Sequence, residues 1–170
     1  VKIRHAVLVY SKDYQIGKGS LFAVMTDILG EDNAEPGSVK SILDKGVQFT
    51  NKLLVLIDEC RSAGDFSENK KLLNDLKIII TEERIQKRVL YKDYGATKQF
   101  TNFIIFTNND DALSIDDKDA RYFVTENLEP RKEQKFYKDF NAWRKDKGSA
   151  YVMSYLLDRD LSKFDHTTPA

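Results

Sequence analysis

Residues 4–20 read RHAVLVYSKDYQIGKGS. The run Arg4–Tyr10 is short, apolar and rich in strand formers, and its polarity does not alternate. Such a run is long enough for a parallel strand buried on both faces. It passes into the polar loop Ser11–Gly17. Lys18–Leu29 then repeats Leu21, Phe22, Met25, Ile28 and Leu29 on one helical face, and Gly30 is a suitable stop. A strand, a glycine-containing turn and a helix in immediate succession can hold phosphate. The backbone N–H groups line the turn, and the positive end of the helix meets the anion. Ile16, Gly17, Lys18, Gly19, Ser20 and Leu21 occupy that place. Gly17 lets the backbone approach a phosphate, and Lys18 has the reach for the β- and γ-phosphates of a nucleotide. The usual spacing, G-x-x-x-x-G-K-[ST], is departed from twice. Lys12 stands where the first glycine belongs, and Gly19 where the magnesium-binding hydroxyl belongs. Ser20, one position late, is the candidate replacement. Taken alone, the motif is also compatible with an ordinary glycine turn.

The next strands add to the pattern. Leu53–Ile57 (LLVLI) delivers Asp58 and Glu59 to a sheet edge, where adjacent carboxylates repel each other without a cation. Asp58 suits a magnesium contact, shared with Ser20, and Glu59 suits a base that orients an attacking water. An acidic turn at a strand end is the plainer alternative. Asn102–Thr107 (NFIIFT) ends in Asn108, a neutral group placed to touch a γ-phosphate or the water, or else a turn residue. Arg121–Thr125 (RYFVT) follows the acidic run Asp116–Asp119. Arg121 is either a finger for a neighbouring subunit's nucleotide or the partner of Asp117 or Asp119 in an ion pair.

Between these strands, Glu31–Gly37 reads as a polar turn containing Pro36, and Ser38 as the cap of a short helix through Asp44. Arg61–Asn69 reads as a loop entering a helix over Lys70–Ile80. Ile85–Tyr91 and Thr97–Phe100 flank a glycine-containing turn and predict a hairpin. That hairpin carries Lys87, Arg88, Lys92 and Lys98 against the single acid Asp93, with Tyr91 and Tyr94 interleaved. Cations and rings together suit a single-stranded nucleic acid, phosphates on the former and bases on the latter. A solvated, exposed hairpin has the same composition. Two helices follow, Arg131–Lys145 and Ser149–Leu157, separated by Gly148.

Strands alternating with helices predict an α/β fold, a mostly parallel sheet flanked by helices, with ligands at the carboxyl ends of the strands. Residues 1–128 form the expected core, with the hairpin at 85–100, and residues 129–170 a C-terminal helical segment. The chain of 170 residues is long enough for one such core. No stretch approaches the roughly 20 apolar residues needed to span a bilayer, and none reads as a leader. Lys plus Arg and Asp plus Glu number 27 each, so any contact with nucleic acid has to be local. Cys60 is the single cysteine, which excludes an internal disulfide and suits a reducing compartment. Beside Asp58–Glu59 it reads as a small space-filling group. Val1 in place of a methionine, with a strand almost at once, suggests a piece of a longer polypeptide.

With these motifs in order, the chain resembles the superfamily 3 helicases, and more closely the helicase domain of phage- and plasmid-type primase–helicases. The matching stretches are VLVYSKDYQIGKGSLF, LLVLIDEC, LKIIITEERI onward to Lys92, FIIFTNND, DARYFV and GSAYVMSYLLDRDLSKF. The resemblance implies an AAA+-like P-loop ATPase that binds ATP and Mg2+. Lys18 would be the Walker A lysine, Asp58 and Glu59 the Walker B pair, and Asn108 the motif C sensor. Arg121 would be an arginine finger acting in trans, and Lys92 the lysine of a DNA-facing hairpin. It also implies a homo-hexameric ring translocating on single-stranded DNA in the cytoplasm of a bacterial or phage-infected cell. The alternatives are an AAA-type protein-remodelling ATPase and a nucleotide-binding assembly module with little hydrolysis.

Overall fold

Leu54–Ile57 and Phe103–Phe106 are buried from end to end, so neither stretch can belong to a strand with a wet face. In the computed structural model, which describes residues 1–44, 48–58, 66–87, 95–108 and 119–166, both lie in the interior of a parallel sheet. In chain order the strands are β1 (Ala6–Tyr10), β2 (Ala34–Gly37), β3 (Leu54–Ile57), β4 (Arg84–Lys87), β5 (Gly95–Lys98), β6 (Asn102–Thr107) and β7 (Tyr122–Glu126). Five of them form the main sheet in the order β2-β3-β6-β1-β7, and every neighbouring pair is parallel. The helices are α1 (Lys18–Leu29), α2 (Val39–Asp44), α3 (Phe66–Thr81), α4 (Gln134–Trp143) and α5 (Ser149–Leu157).

The two-residue period of the strands divides their side chains between two apolar layers. Val55, Ile57, Phe103 and Ile105 point to the layer that takes Ile42 of α2 and Leu76 and Ile80 of α3. Leu54, Leu56, Ile104 and Phe106 point to the other, which takes Phe22, Met25 and Leu29 of α1. The expected α/β architecture with a mostly parallel, helix-flanked sheet is therefore what the chain adopts. After β1 the chain crosses to β2 at the far edge, while both neighbours of β1 in the sheet, β6 and β7, come later in sequence. This reversal at β1 opens a crevice at its carboxyl end.

Several boundaries differ from the sequence reading. Glu31–Gly37 is not a turn. Glu31–Asn33 forms one tight helical turn, and Ala34–Gly37 pairs with β3 as the edge strand β2. Its sequence, AEPG, has little strand propensity, but tertiary pairing overrides propensity, and Pro36 is tolerable on an edge because it has no N–H to offer. Helix α3 begins at Phe66, earlier than Lys70, and runs to Thr81. The hairpin ladder joins Arg84–Lys87 to Gly95–Lys98, and its tip lies outside the described residues.

Buried polar groups close the end of α3. Lys2, 5% exposed, donates from Nζ to the carbonyls of Ile79 and Thr101. Gln99 Nε2 donates to the carbonyls of Ile79 and Glu82. The last carbonyls of a helix lack partners of their own, and both side chains supply them. Burial lowers the Lys2 ammonium to about 8, against the opposing pull of Glu83 and Glu82.

Two further contacts tie distant segments together. Asp119 takes a two-pronged contact from Arg121, with Nε at 2.6 Å and an outer guanidinium nitrogen at 2.9 Å, and Lys77 of α3 lies 3.0 Å away. Burial alone would raise the Asp119 pKa, but the bonds from Arg121 and Lys77 outweigh it and bring the carboxyl to about 2. At the C-terminal side, Arg144 donates to both carboxylate oxygens of Asp27 on α1, and the Ser149 hydroxyl donates to one of them at 2.6 Å. The Ser149 bond first, and then Arg144, hold the Asp27 carboxyl below the usual carboxylate range. Between α4 and α5 the chain kinks through Arg144–Gly148, with Lys147 at φ 67. Gly148 is buried in that kink. A Cβ there would lie 2.5 Å from Trp143 Cδ2 and 2.6 Å from the Trp143 carbonyl oxygen.

Two outcomes follow from these contacts. Gly148→Ala should destabilise the chain by about 1–3 kcal/mol in urea unfolding, because a backbone atom cannot swing aside from the added methyl. Wild-type stability in that variant would show that the kink has room. For Asp119 the folded pKa lies below the unfolded value of 3.8, so its contribution is complete above about pH 5 and fades as pH falls towards 2. The shift corresponds to about 2 kcal/mol. The stability gap between wild type and Asp119→Asn should therefore narrow as pH falls from about 5 towards 2 in parallel urea titrations. A gap independent of pH would contradict the assignment.

Candidate functional site

Loop 11–17 is shaped by two residues with positive φ, Gln15 at 59° and Gly17 at 97°. The left-handed turn at Gly17 is cheap only for glycine, and it brings the chain directly into α1, whose first residue is Lys18. The lysine therefore stands at the positive end of a helix of 12 residues, at the carboxyl edge of β1.

Lys18 Nζ donates to the Thr107 carbonyl at 3.0 Å and to Asn108 Oδ1 at 2.8 Å. The Asn108 amide nitrogen turns back to the loop, donating to the carbonyls of Ser11 and Asp13, each at 2.8 Å, and to Ser11 Oγ at 3.2 Å. Ser11 Oγ donates in turn to the Asp13 carbonyl, and Ser11 N–H donates to the Thr107 carbonyl. One asparagine thus joins the end of β6, the loop after β1 and the first residue of α1. Asp58 is set at the same edge by its N–H, which donates to the Gly37 carbonyl of β2. Its side chain is exposed.

These groups surround a cleft of about 580 Å³. Ile16, Gly17, Lys18, Gly19, Ser20, Asp58 and Asn108 all line it, which brings together predicted site residues from three separate strand ends. A Cβ at Gly19 would meet nothing within 4 Å, so the loop is open at the position where a hydroxyl was expected. A cationic donor at a helix start, a glycine loop and an exposed carboxylate on the facing strand suit a polyphosphate with a divalent cation.

The remaining predicted residues fall elsewhere. Leu21 is 46% exposed and is not among the residues lining the cleft. Arg121 lies at the amino end of β7, its carbonyl accepting from Ala6 N–H, so it occupies the sheet edge opposite the cleft. Of the two alternatives read from the sequence, this chain forms the ion pair with Asp119. The β4–β5 ladder leaves the same amino edge, anchored by buried Ile85. Lys87 ends β4 opposite Gly95, and exposed Lys98 holds its Nζ 5.1 Å from the Phe100 ring centre. Glu59, Cys60, Arg88, Tyr91, Lys92 and Tyr94 lie outside the described residues.

The structure also brings in residues that no local pattern indicated. Tyr14 and Gln15 line the cleft from the loop, and Tyr137 and Asn141 line it from α4. A Cβ on Gly17 would be 3.1 Å from Tyr137 Cε1, so the ring lies directly over the loop. The only available signal was the spacing of four between Tyr137 and Asn141, which puts them on one helix face. Which face that is depends on how the C-terminal helices dock on α1.

No curated protein sequence matches the chain. Solved structures do. The C-terminal region of NrS-1 (residues 305–718, apo) superposes with a TM-score of 0.71 at 22% identity, over 98% of this chain and 41% of that one. Its A-form apo structure gives 0.68 at 21% identity, over 98% and 40%. JCV helicase, solved with a bound thiazolopyridine compound, gives 0.55 at 12% identity, over 96% and 48%. The chain thus spans less than half the length of these structures and shares their fold. The model of a family of unknown function, DUF5906, matches residues 9–121, which cover most of the sheet and the whole loop–helix segment. The chain belongs to the DUF5906 family.

Proposed function

We propose that this chain is the motor domain of an ATP-driven DNA helicase of the superfamily 3 type, within a larger replication protein. The observation that carries the proposal is the convergence of Lys18, from the start of α1, on Asn108, from the end of β6. They meet in a cleft that Asp58 enters from β3. The shared fold of JCV helicase adds support.

In this scheme the loop from Ile16 to Ser20 cradles the phosphates of ATP. Lys18 exchanges its neutral acceptors, the Thr107 carbonyl and Asn108 Oδ1, for phosphate oxygens. Anionic acceptors bind an ammonium more strongly than these neutral ones. Asn108 Oδ1 is then released to accept from the attacking water, while its amide nitrogen stays tied to the loop. Glu59 acts as the base. Asp58 and Ser20 would hold Mg2+, which would offset charge on the β- and γ-phosphates. Arg121 serves a neighbouring subunit of a homo-hexameric ring, which requires its guanidinium to leave Asp119. Lys87, Arg88, Lys92 and Lys98 on the hairpin grip single-stranded DNA through its phosphates. The hairpin and Arg121 leave one sheet edge and the cleft lies at the other, so hydrolysis and DNA contact are coupled through the rigid sheet between them. Among the described residues no helix is long and apolar enough to cross a membrane.

A second reading is a nucleotide-binding assembly module with little hydrolysis. The open position at Gly19 favours it, because no hydroxyl stands directly after the lysine. Nucleotide that binds the full-length protein without turnover would select this reading.

Lys18→Ala in the full-length protein should lower ATP turnover by about 10² or more, the usual cost of removing a donor to developing charge. An unchanged rate would sink the proposal. Lys92→Ala should abolish stimulation of turnover by single-stranded DNA while leaving the basal rate alone. Stimulation that survives in that variant would remove the hairpin from the mechanism.

A further inference from the structure

Tyr137 and Asn141 stand one helical turn apart on α4, and both line the cleft that holds Lys18. They come from outside the loop, sheet and α1 that supply every phosphate-side group. The Tyr137 ring is held at both ends. Its hydroxyl accepts from Lys132 N–H at 3.2 Å, and Phe136 packs edge to face against it at 5.4 Å and 86°. Its edge rests on the loop, against the position where a Gly17 side chain would be. A ring fixed in this way presents a planar apolar surface without losing rotamer freedom on binding. The Asn141 amide nitrogen donates to the Tyr137 carbonyl at 2.9 Å, which fixes the amide plane. No described residue donates to its Oδ1, leaving an acceptor at the cleft.

We infer that Tyr137 and Asn141 form the nucleobase wall of the cleft, with Tyr137 stacking on the base and Asn141 Oδ1 accepting from an exocyclic amino group. Adenine offers that donor at its six-position, where guanine carries an acceptor oxygen, its own amino group being at the two-position. The wall therefore selects ATP over GTP. This inference rests on the phosphate-binding role of Lys18, from which it can be separated by the choice of ligand. Stacking on an aromatic side chain acts on the base alone, whereas inorganic tripolyphosphate engages only the loop and Lys18.

The experiment is calorimetric titration of the full-length protein with ATP, GTP and tripolyphosphate. Tyr137→Ala should weaken ATP binding about tenfold and leave tripolyphosphate within about twofold of wild type. The retained tripolyphosphate affinity also reports an intact loop. Tyr137→Phe should keep ATP binding, because the ring remains. Asn141→Leu should bring ATP and GTP to equal affinity. Parallel loss of ATP and tripolyphosphate in Tyr137→Ala would overturn the inference, because the ring would then act only by propping the loop. Unchanged ATP affinity in that variant would overturn it as well. A different result marks failure of the underlying role: tripolyphosphate that binds Lys18→Ala as tightly as wild type would show that Lys18 holds no phosphate.

Discussion

The central strands β3 and β6 are buried on both faces and leave their side chains no wet surface, and the rest of this molecule follows from that constraint. Leu54–Ile57 and Phe103–Phe106 fill the two apolar layers, and α1 on one side and α2 with α3 on the other exclude water from both. Polar chemistry can then stand only where strands end. Asp58 and Asn108 are the first residues beyond β3 and β6, and Lys18 follows the loop after β1. Each is delivered by an apolar strand whose length and direction the core holds rigidly.

At the carboxyl edge the decisive group is Asn108. A carboxamide has both an acceptor and two donors, and here each is used: Oδ1 for Lys18, Nδ2 for the loop carbonyls of Ser11 and Asp13. An aspartate could accept from the lysine but could not donate to the carbonyls. The shape of the loop and the position of the lysine are thus held through a single neutral side chain. The Thr107 carbonyl and Asn108 Oδ1 are neutral acceptors, which hold an ammonium less strongly than phosphate oxygens do.

The C-terminal helices belong to the cleft as much as the sheet does. Asp27 on α1 is bound by Arg144 and Ser149, and Gly148 lets the intervening kink pass against Trp143 without a side chain. Those contacts set the rotation of α4, which puts Tyr137 over Gly17. At the opposite edge, Asp119 binds Arg121 and Lys77 together, joining α3 to the start of β7. The two ends of the sheet are therefore closed by different means, one by a loop and helix, the other by ion pairs and buried caps.

Much of this was legible in the residues themselves. The apolar strands, the helix from Lys18 to Leu29 with its stop at Gly30, and the placing of Asp58 and Asn108 at strand ends all follow from local periodicity, which the sequence carries without reference to distant segments. The edge strand Ala34–Gly37 does not, because AEPG becomes a strand only by pairing with β3. Arg121 could be read as free or paired until the fold put Asp119 and Lys77 beside it. Lys2 gave no sign of being buried, since its partners lie about 80 and 100 residues away, near the end of α3 and just before β6. Tyr137 and Asn141 were equally silent. Apart from the edge strand, the sequence by itself determined which segments form strands and helices and which residues stand at their ends, because those depend on neighbours along the chain. The tertiary structure alone decided which of those ends share a cleft and what closes it, because that depends on how the kink after α4 and the helix α5 dock against α1, through contacts between residues more than 100 positions apart.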